Sequence, residues 1–313
     1  MTARIFRKIS DIPSMDYPVF GLGNFDGFHI GHQAILGGVA RRAKEKGGTS
    51  VALTFSPHPV RVLHPLRSLE LLTLEEEKLE LIAESGVDIV LSIPFTLIFA
   101  AQTPRAFAAG FLTRDARVRE VFVGPNYGFG RDRSGNIETL RALGGEFGFD
   151  VHVVPAVMTS GQRVSSSLIR ELVREGNMDA VIPMLGRPYR LEGKVIEGEN
   201  RGRALGYPTA NLSPEDKVIP LDGVYAITGS LDGKPIPGIA YIGTQPTFEK
   251  RKRQLEVHLY DFSGKLYGQN LRVHFYGKVR GEMKFSGRDE LVARIGQDIL
   301  KGKEILGGKG IIC

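Results

Sequence analysis

The stretch Val19-Phe20-Gly21-Leu22-Gly23-Asn24-Phe25-Asp26-Gly27-Phe28-His29-Ile30-Gly31-His32 constrains the fold of this chain more than any other. An apolar run feeds a turn with glycines at 21, 23 and 27. Two histidines three residues apart follow, where a helix is predicted to begin at Gln33-Ala34-Ile35-Leu36. Glycines let a backbone approach an anion closely, and the N–H groups and positive end of a helix attract negative charge. This is the layout of a phosphate site between a strand and a helix. His29 and His32 lie one turn apart on one face, where two imidazoles are placed to donate to phosphate oxygens as charge develops.

A plain turn with surface histidines fits the same residues, and spacing narrows the rest. No Lys-Ser/Thr follows, as a P-loop requires, and there is no Gly-x-Gly-x-x-Gly. A zinc pair lacks a nearby cysteine or third histidine. Read literally, His29-Ile30-Gly31-His32 resembles the signature of the nucleotidylyltransferases and class I aminoacyl-tRNA synthetases. That resemblance implies histidines binding ATP phosphates while a nucleophile attacks the α-phosphorus.

With 313 residues the chain has room for two domains of about 150 residues, each with its own core. A net charge of +6 suits phosphorylated substrates but is too small and dispersed to argue for nucleic acid. The dense basic run Lys250-Arg251-Lys252-Arg253 reads as a solvated loop. The single cysteine, Cys313, excludes an internal disulfide and fits a reducing compartment. The first eight residues lack the apolar core of a signal peptide. Ile89 to Ala101, interrupted by Pro94, is shorter than the ~20 residues of a membrane span. The expectation is a cytoplasmic protein with no nucleic-acid or membrane partner; oligomeric state is left open, a homo-oligomer included.

Through residue 155 the pattern alternates. Strands are predicted at Val19–Leu22, Val51–Phe55, Asp88–Ile93, Glu120–Val123 and Asp150–Pro155, and helices at Gln33–Lys46, Leu74–Glu84, Pro104–Leu112 and Ile137–Gly148. Such alternation predicts right-handed βαβ units and a doubly wound parallel sheet, with ligands at the carboxyl ends of its strands. Three segments follow strands as that rule asks. Ser56-Pro57-His58-Pro59 is a stiff loop, equally a rigid turn and a site-facing histidine. Gly124 to Gly135 mixes glycines, aromatics and arginines, and fits either a loop closing over a nucleotide or an idle one. Arg163-Val164-Ser165-Ser166-Ser167-Leu168-Ile169-Arg170 is at least an N-cap. Its flanking guanidinium groups make it a second anion site as well.

Together these pieces resemble the FAD synthetase (FMN adenylyltransferase) half of bacterial bifunctional riboflavin kinase/FAD synthetases. The family pattern Gly-x-Phe-Asp-Gly-x-His-x-Gly-His is matched at Gly23, Phe25, Asp26, Gly27, His29, Gly31 and His32, and the Ser-Pro-His-Pro loop and the 163–170 segment match too. The departures are mild: Val164 for Ile, Ser167 for Thr, and Tyr127 beside the polar Asn126. No Lys-Met-Ser-Lys-Ser segment is present, which argues against a tRNA synthetase. By this resemblance Gly23, Asp26, Gly31, Asn126, Arg163, Ser166, Ser167 and Arg170 bind nucleotide, and His58 binds flavin.

After Tyr189 short alternating segments separated by turns predict a small antiparallel β-barrel with a closing C-terminal helix from Asp289 to Leu300. Leu231-Asp232-Gly233-Lys234 and Phe262-Ser263-Gly264-Lys265 both read as hairpin turns. The run Gly198 to Asn211 offers Gly, Arg and hydroxyl groups for phosphate, and Thr209 and Asn211 as neutral oxygen ligands for Mg²⁺. Taken alone it reads better as a plain loop. Glu256 and His258 share one strand face, an ordinary surface pair or, at a barrel mouth, a general base with its neighbour.

The second half in turn resembles the riboflavin kinase half of the same family. Gly193, Val195, Gly198 and residues 202–211 match its signature, as do Glu256-x-His258 and Arg280-x-Glu282-x-Lys284-Phe285. The resemblance implies an α/β Rossmann-like nucleotidylyltransferase domain at 1–186 and a riboflavin kinase barrel at 187–313. The first would adenylylate FMN to FAD with release of pyrophosphate, and the second would phosphorylate riboflavin to FMN, both with ATP and Mg²⁺. It further implies Glu256 as the kinase base, Gly198, Arg203 and Thr209 on ATP, Thr209 and Asn211 on the metal, and Arg280 and Glu282 on flavin. His29 and His32 are the implied catalytic groups of the other site. The alternatives are one active half with the other as scaffold, or a non-catalytic flavin- or RNA-binding regulator.

Overall fold

Val19 and Gly21 alternate with Phe20 and Leu22 along a strand whose residues are all buried, so each of its faces needs a covering layer. The structure, a computed structural model, supplies both. It describes residues 2–313 except 67–68, 197–201, 203–204, 214–215, 232 and 246–251; of 244, 245 and 252 it describes the backbone alone. The chain divides into two compact units, Met1–Ser166 and Ser167–Cys313.

The first unit is a parallel sheet of β1 (Arg4–Phe6), β2 (Val19–Leu22), β3 (Ser50–Ser56), β4 (Ile89–Pro94), β5 (Glu120–Val123) and β6 (Asp150–Val153), in the order β1-β4-β3-β2-β5-β6. On one face lie α1 (Ile30–Lys46) and α3 (Glu75–Ala83), packed over Val19, Ala52 and Val90. The opposite face, with Phe20, Leu22, Val51 and Leu91, is covered by α6 (Ile137–Phe147) and by α5 (Pro104–Ala106), which runs on as a π-helix over Phe107–Asp115. Two short helices, α2 (Pro59–Leu63) and α4 (Leu97–Ala100), follow β3 and β4. The order reverses between β2 and β5, so the carboxyl ends of these two strands flank the switch point where such sheets bind ligands. Close packing of α1 on β2 depends on Gly21, where a Cβ would come within 2.6 Å of Leu36 Cδ2.

The second unit begins with α7, the helix Ser166–Glu175 that spans the division, and α8 (Met178–Leu185). Both were expected in the first domain. Instead α8 packs on two barrel strands, β9 (Tyr189–Ile196) and β14 (Asn270–Gly281). The division by packing thus precedes the expected boundary at 186/187 by these two helices. The barrel is closed by β10 (Ala210–Leu212), β11 (Gly223–Leu231), β12 (Lys234–Gln245) and β13 (Lys252–Leu259), in the order β10-β13-β12-β11-β14-β9. Tyr225, Ile227, Leu255, Val257, Val273 and Phe275 fill its interior. Helix α9 (Arg288–Gly308) covers part of the outer wall through Leu306, against Val224, Ala226 and Ile239. The turn at Leu231–Lys234 joins paired strands as expected, but Phe262–Lys265 does not, because β13 and β14 are not neighbours.

At the amino ends of β5 and β6, away from the switch point, Glu120 is fully buried. Its carboxylate accepts from Tyr17 Oη at 2.8 Å and Arg42 Nε at 2.8 and 2.9 Å, and meets His152 Nε2 at 2.6 Å. Burial pushes the Glu120 carboxyl up, but hydrogen bonds from Arg42, Tyr17 and His152 outweigh it and hold it below the ordinary carboxylate range. A carboxyl whose folded pKa is depressed stabilises the fold above its unfolded pKa of about 4.5, and that stability is lost as pH falls through the folded value. We expect Glu120→Gln to cost about 3 kcal/mol at pH 7, as loss of a buried ionic partner does, and to flatten the acid limb of urea-unfolding stability below pH 4.5.

Candidate active sites

The loop after β2 is set in an unusual backbone. Phe25 (φ 53°), Gly27 (φ 79°) and Phe28 (φ 35°) all lie in the left-handed region, which costs energy for a phenylalanine. Deep hydrogen bonding holds it there. The buried Asp26 carboxylate accepts from the backbone N–H of Leu72 and of Thr73, each at 3.0 Å, and from Thr73 Oγ1 at 3.2 Å. Thr73 Oγ1 in turn accepts from Gly27 N–H at 3.0 Å. Asp26 thus braces the loop from below, a role the sequence did not suggest.

His29 caps α1, its Nδ1 accepting from His32 N–H at 3.3 Å, and its ring stacks on that of His32 with centroids 3.6 Å apart. With Nδ1 the acceptor, a neutral His29 carries its proton on Nε2 and presents it as a donor. Phe25 meets His32 edge-on at 5.3 Å. The expected glycines have steric work here: a Cβ on Gly23 would lie 2.7 Å from the Phe25 ring, and one on Gly31 3.1 Å from the His29 ring.

Two distant segments join this loop. Ser166 Oγ donates to the Asp26 carbonyl at 2.9 Å. Arg163, on the hairpin of β7 (Met158–Thr159) and β8 (Gln162–Arg163), reaches Asn126 beyond β5. With the Asn126 amide oxygen turned towards it, the guanidinium donates from both terminal nitrogens, at 3.0 and 2.8 Å. Ser167 and Arg170 stand one residue and one turn further along α7, in the second unit.

Beyond β3, His58 caps α2, its Nδ1 accepting from Val60 N–H at 3.3 Å. It lines a cavity of about 100 Å³ together with Asp26, Ser56, Thr73, Glu75 and Lys78. A larger pocket of about 610 Å³ opens at the carboxyl end of β4. Ile98, Phe99 and Phe111 line it, with Arg7, Lys8 and Arg114 contributing cations. Phe99 touches Phe55 at 5.6 Å between centroids, so the pocket adjoins the Ser56-Pro57-His58 loop. Sequence reasoning missed it; the only signal was the aromatic spacing Phe95, Phe99, Phe107, Phe111, which reads as core.

In the barrel, cross-strand register arranges residues that the sequence scatters over 70 positions. Asn211 pairs with Glu256, Glu256 with Tyr241, Tyr241 with Val224, and Val224 with Arg280. Paired residues share a face with Cβ atoms about 5 Å apart. Their neighbours Ala210, Leu212, Leu255 and Val257 are buried inside, so this row lies on the outer wall rather than in a mouth. Segment 205–209 folds against it: His258 Nδ1 lies 2.9 Å from the Pro208 carbonyl and its ring meets Tyr207 edge-on at 5.7 Å. Thr209 sits two residues before Asn211, on the same side of an extended chain.

Arg280 donates through Nε to Asp298 at 2.8 and 3.0 Å, and Asp298, buried on α9, also accepts from Arg294 at 3.1 Å. Arg280 therefore anchors α9. Glu282 is exposed, and its charge, with those of Asp222 and Glu256, adds to burial in raising the Tyr241 phenol. Gly198 and Arg203 lie outside the described residues.

Residues 13–168 match the family described as FAD synthetase, and residues 185–306 that described as riboflavin kinase. The bifunctional riboflavin kinase/FMN adenylyltransferase of Escherichia coli (strain K12) is 37% identical over 290 residues, covering 92% of this chain and 93% of that one. The chain belongs to that bifunctional family. The Bacillus subtilis (strain 168) member is 34% identical over 286 residues, 90% of each chain. A crystal structure described as a macrolide-efflux protein from Streptococcus pneumoniae shares the fold, with a TM-score of 0.86 at 28% identity, over 95% of this chain and 97% of that one. The family match assigns FAD synthetase to the parallel-sheet unit and riboflavin kinase to the barrel, and α7 from residue 169 to its end lies between the two matches with most of α8. Among the described residues no helix is long and apolar enough to cross a membrane.

Arg280 offers a clean separation of anchoring from flavin contact. Arg280→Ala should lower barrel stability by roughly 2 kcal/mol, moderated because Arg294 stays on Asp298. Calorimetry alongside the riboflavin KM checks this; a raised KM at unchanged stability would make Arg280 a ligand contact instead.

Proposed function

We propose that the family's two reactions divide over the two sites as follows. In the first unit, the FMN phosphate attacks the α-phosphorus of ATP and pyrophosphate leaves. The phosphate is already a nucleophile at neutral pH, so the site needs electrostatic stabilisation rather than a base. His29 through Nε2–H, with His32 and the N–H groups at the start of α1, would meet the developing charge. Arg163, aimed by Asn126, would clamp a phosphate from the other side. Asp26, Gly23 and Gly31 shape this cradle, Ser166 ties the α7 start to it, and Ser167 and Arg170 remain candidates for the same anion. The observation that carries the reading is the stacked, capped histidine pair at the switch point of the sheet.

The isoalloxazine ring of FMN is flat and largely apolar. It suits the pocket of Phe99, Phe111 and Ile98, and His58, in the adjoining cavity that Asp26 also lines, would contact the flavin substrate.

In the barrel, the ribityl hydroxyl loses its proton to Glu256 as its oxygen attacks the γ-phosphorus, and ADP leaves. Asn211 beside Glu256 in register supports this assignment. Thr209 and Asn211 present hard neutral oxygens that fit Mg²⁺, which when bound would neutralise phosphate charge. Gly198 and Arg203 would contact ATP, and Glu282 the flavin. We assign the adenylyltransferase to the parallel-sheet unit and the kinase to the barrel, with the functional boundary between the packing division at 166/167 and the expected 186/187, in a cytoplasmic setting that the lone terminal cysteine favours.

The test is chromatography of flavins from riboflavin, ATP and Mg²⁺ over time. Glu256→Gln should abolish FMN formation yet leave conversion of added FMN to FAD; loss of both would sink the division of labour. His29→Ala with His32→Ala should stop synthesis at FMN, and undiminished FAD would refute their role. Phe99→Ala should raise the KM for FMN roughly tenfold without touching riboflavin phosphorylation.

A further inference from the structure

Lys78 is a buried cation that neither reaction uses. It stands on α3 with 6% of its surface exposed, and its Nζ donates to the Phe55 carbonyl at 2.7 Å. Phe55 is the residue before Ser56-Pro57-His58, where β3 leaves the sheet. One turn earlier on the same helix, Glu75 accepts from Ser56 Oγ and from Arg7. Immediately before the helix, Leu72 and Thr73 hold Asp26 through their N–H groups. The amino-terminal part of α3 therefore grips both loops of the adenylyl-transfer site from beneath: the histidine loop through Asp26, and the His58 loop through Phe55 and Ser56.

An apolar side chain at 78 would fill this space without desolvating a charge, and burying an ammonium group is costly unless it is paired and hydrogen-bonded. The lysine is thus expensive for the fold, and what it holds is the root of a loop. We propose that Lys78 is a positioning residue for FMN adenylylation, fixing the Phe55–His58 segment so that His58 faces the flavin substrate. The proposal rests on the assignment of His58 to that site.

Its charge makes the device sensitive to pH. Burial lowers the Lys78 ammonium to about 8, opposed by the charges of Asp26 and Glu75 and assisted by Arg7. His58 and Arg61 line the same cavity from α2 and its cap. Above pH 8 the charge-assisted bond to Phe55 weakens to a neutral one, about half as strong. Stability moves the other way. The unfolded lysine, with its pKa near 10.5, binds more protons than the folded one between pH 8 and 10.5, so folding strengthens as pH rises through that window.

The experiment compares the full-length wild type with Lys78→Met and Lys78→Gln, measuring FMN-to-FAD kinetics from pH 6.5 to 9.5, riboflavin phosphorylation in the same preparations, and thermal unfolding. The wild type is expected to show the KM for FMN rising above pH 8 while the melting temperature rises. Lys78→Met should raise the KM for FMN about tenfold at pH 7, with kcat within threefold, the alkaline limb gone and a melting temperature no lower than wild type. Lys78→Gln keeps a donor without the charge, and should restore the KM to within threefold with the limb still absent.

An unchanged KM in Lys78→Met, or an alkaline limb retained in either variant, overturns the proposal. So does a fall in melting temperature that tracks the loss of activity in both variants, which would make Lys78 structural only. Should neither variant fold, a wild-type KM that stays flat across pH 8 overturns it. Wild type that makes no FAD from FMN would instead defeat the assignment of the site itself.

Discussion

The carboxylate of Asp26 is the joint on which the first active site hangs. A loop that places Phe25 and Phe28 at positive φ does not persist by its own preference; it is held by neighbours. Asp26 supplies them by accepting two backbone N–H groups and a hydroxyl from residues 72 and 73, while its own carbonyl accepts from Ser166. Segments more than 90 residues apart are thereby referred to one point. The histidine stack inherits its geometry from that point, because the loop delivers His29 to the cap of α1. Preorganisation of this kind lets phosphate-binding groups act without rearranging during reaction.

The barrel solves the same problem with register instead of a buried acid. Antiparallel pairing over β10, β13, β12, β11 and β14 places one side chain from each strand in a single row, and Glu256 stands between Asn211 and Tyr241. The Arg280 ion pair with Asp298 then fastens α9 beside the end of that row. Here strand pairing does the positioning, and register shifts between β11 and β14 on either side of Tyr225 and Ala226 set where Arg280 falls in the row.

The two folds were largely legible from periodicity. Continuous apolar strands such as β3 and β5 mark a sheet buried on both faces, and alternating strands after Tyr189 mark a barrel wall. What escaped was short or long-range. The edge strand β1 and the barrel-closing β10 have three residues each, too few to show a period. The pairing of β14 with β9 and β11 rather than β13 is a choice among strands that no local turn reveals. At the sites, glycines, histidines and Glu256 stood out because their chemistry is rare in such patterns. Asp26 was seen as a nucleotide contact while its bracing of the loop went unseen, since a motif names a residue without saying whether it faces ligand or backbone. Lys78 was invisible inside a charged helix, where an outward-facing lysine is the ordinary case.

On β13, side chains that fill the barrel and side chains of the outer wall, where we place the kinase base, alternate one by one. Positions 255, 257 and 259 are buried, and 256 and 258 face out. Odd and even positions therefore answer to different selection. The odd set is screened by folding and, on the assignment of Glu256 to the kinase reaction, the even set by turnover. Such a strand can drift in substrate preference without melting. It cannot tolerate an inserted or deleted residue, because a shift by one exchanges the two sets and forfeits core and chemistry together.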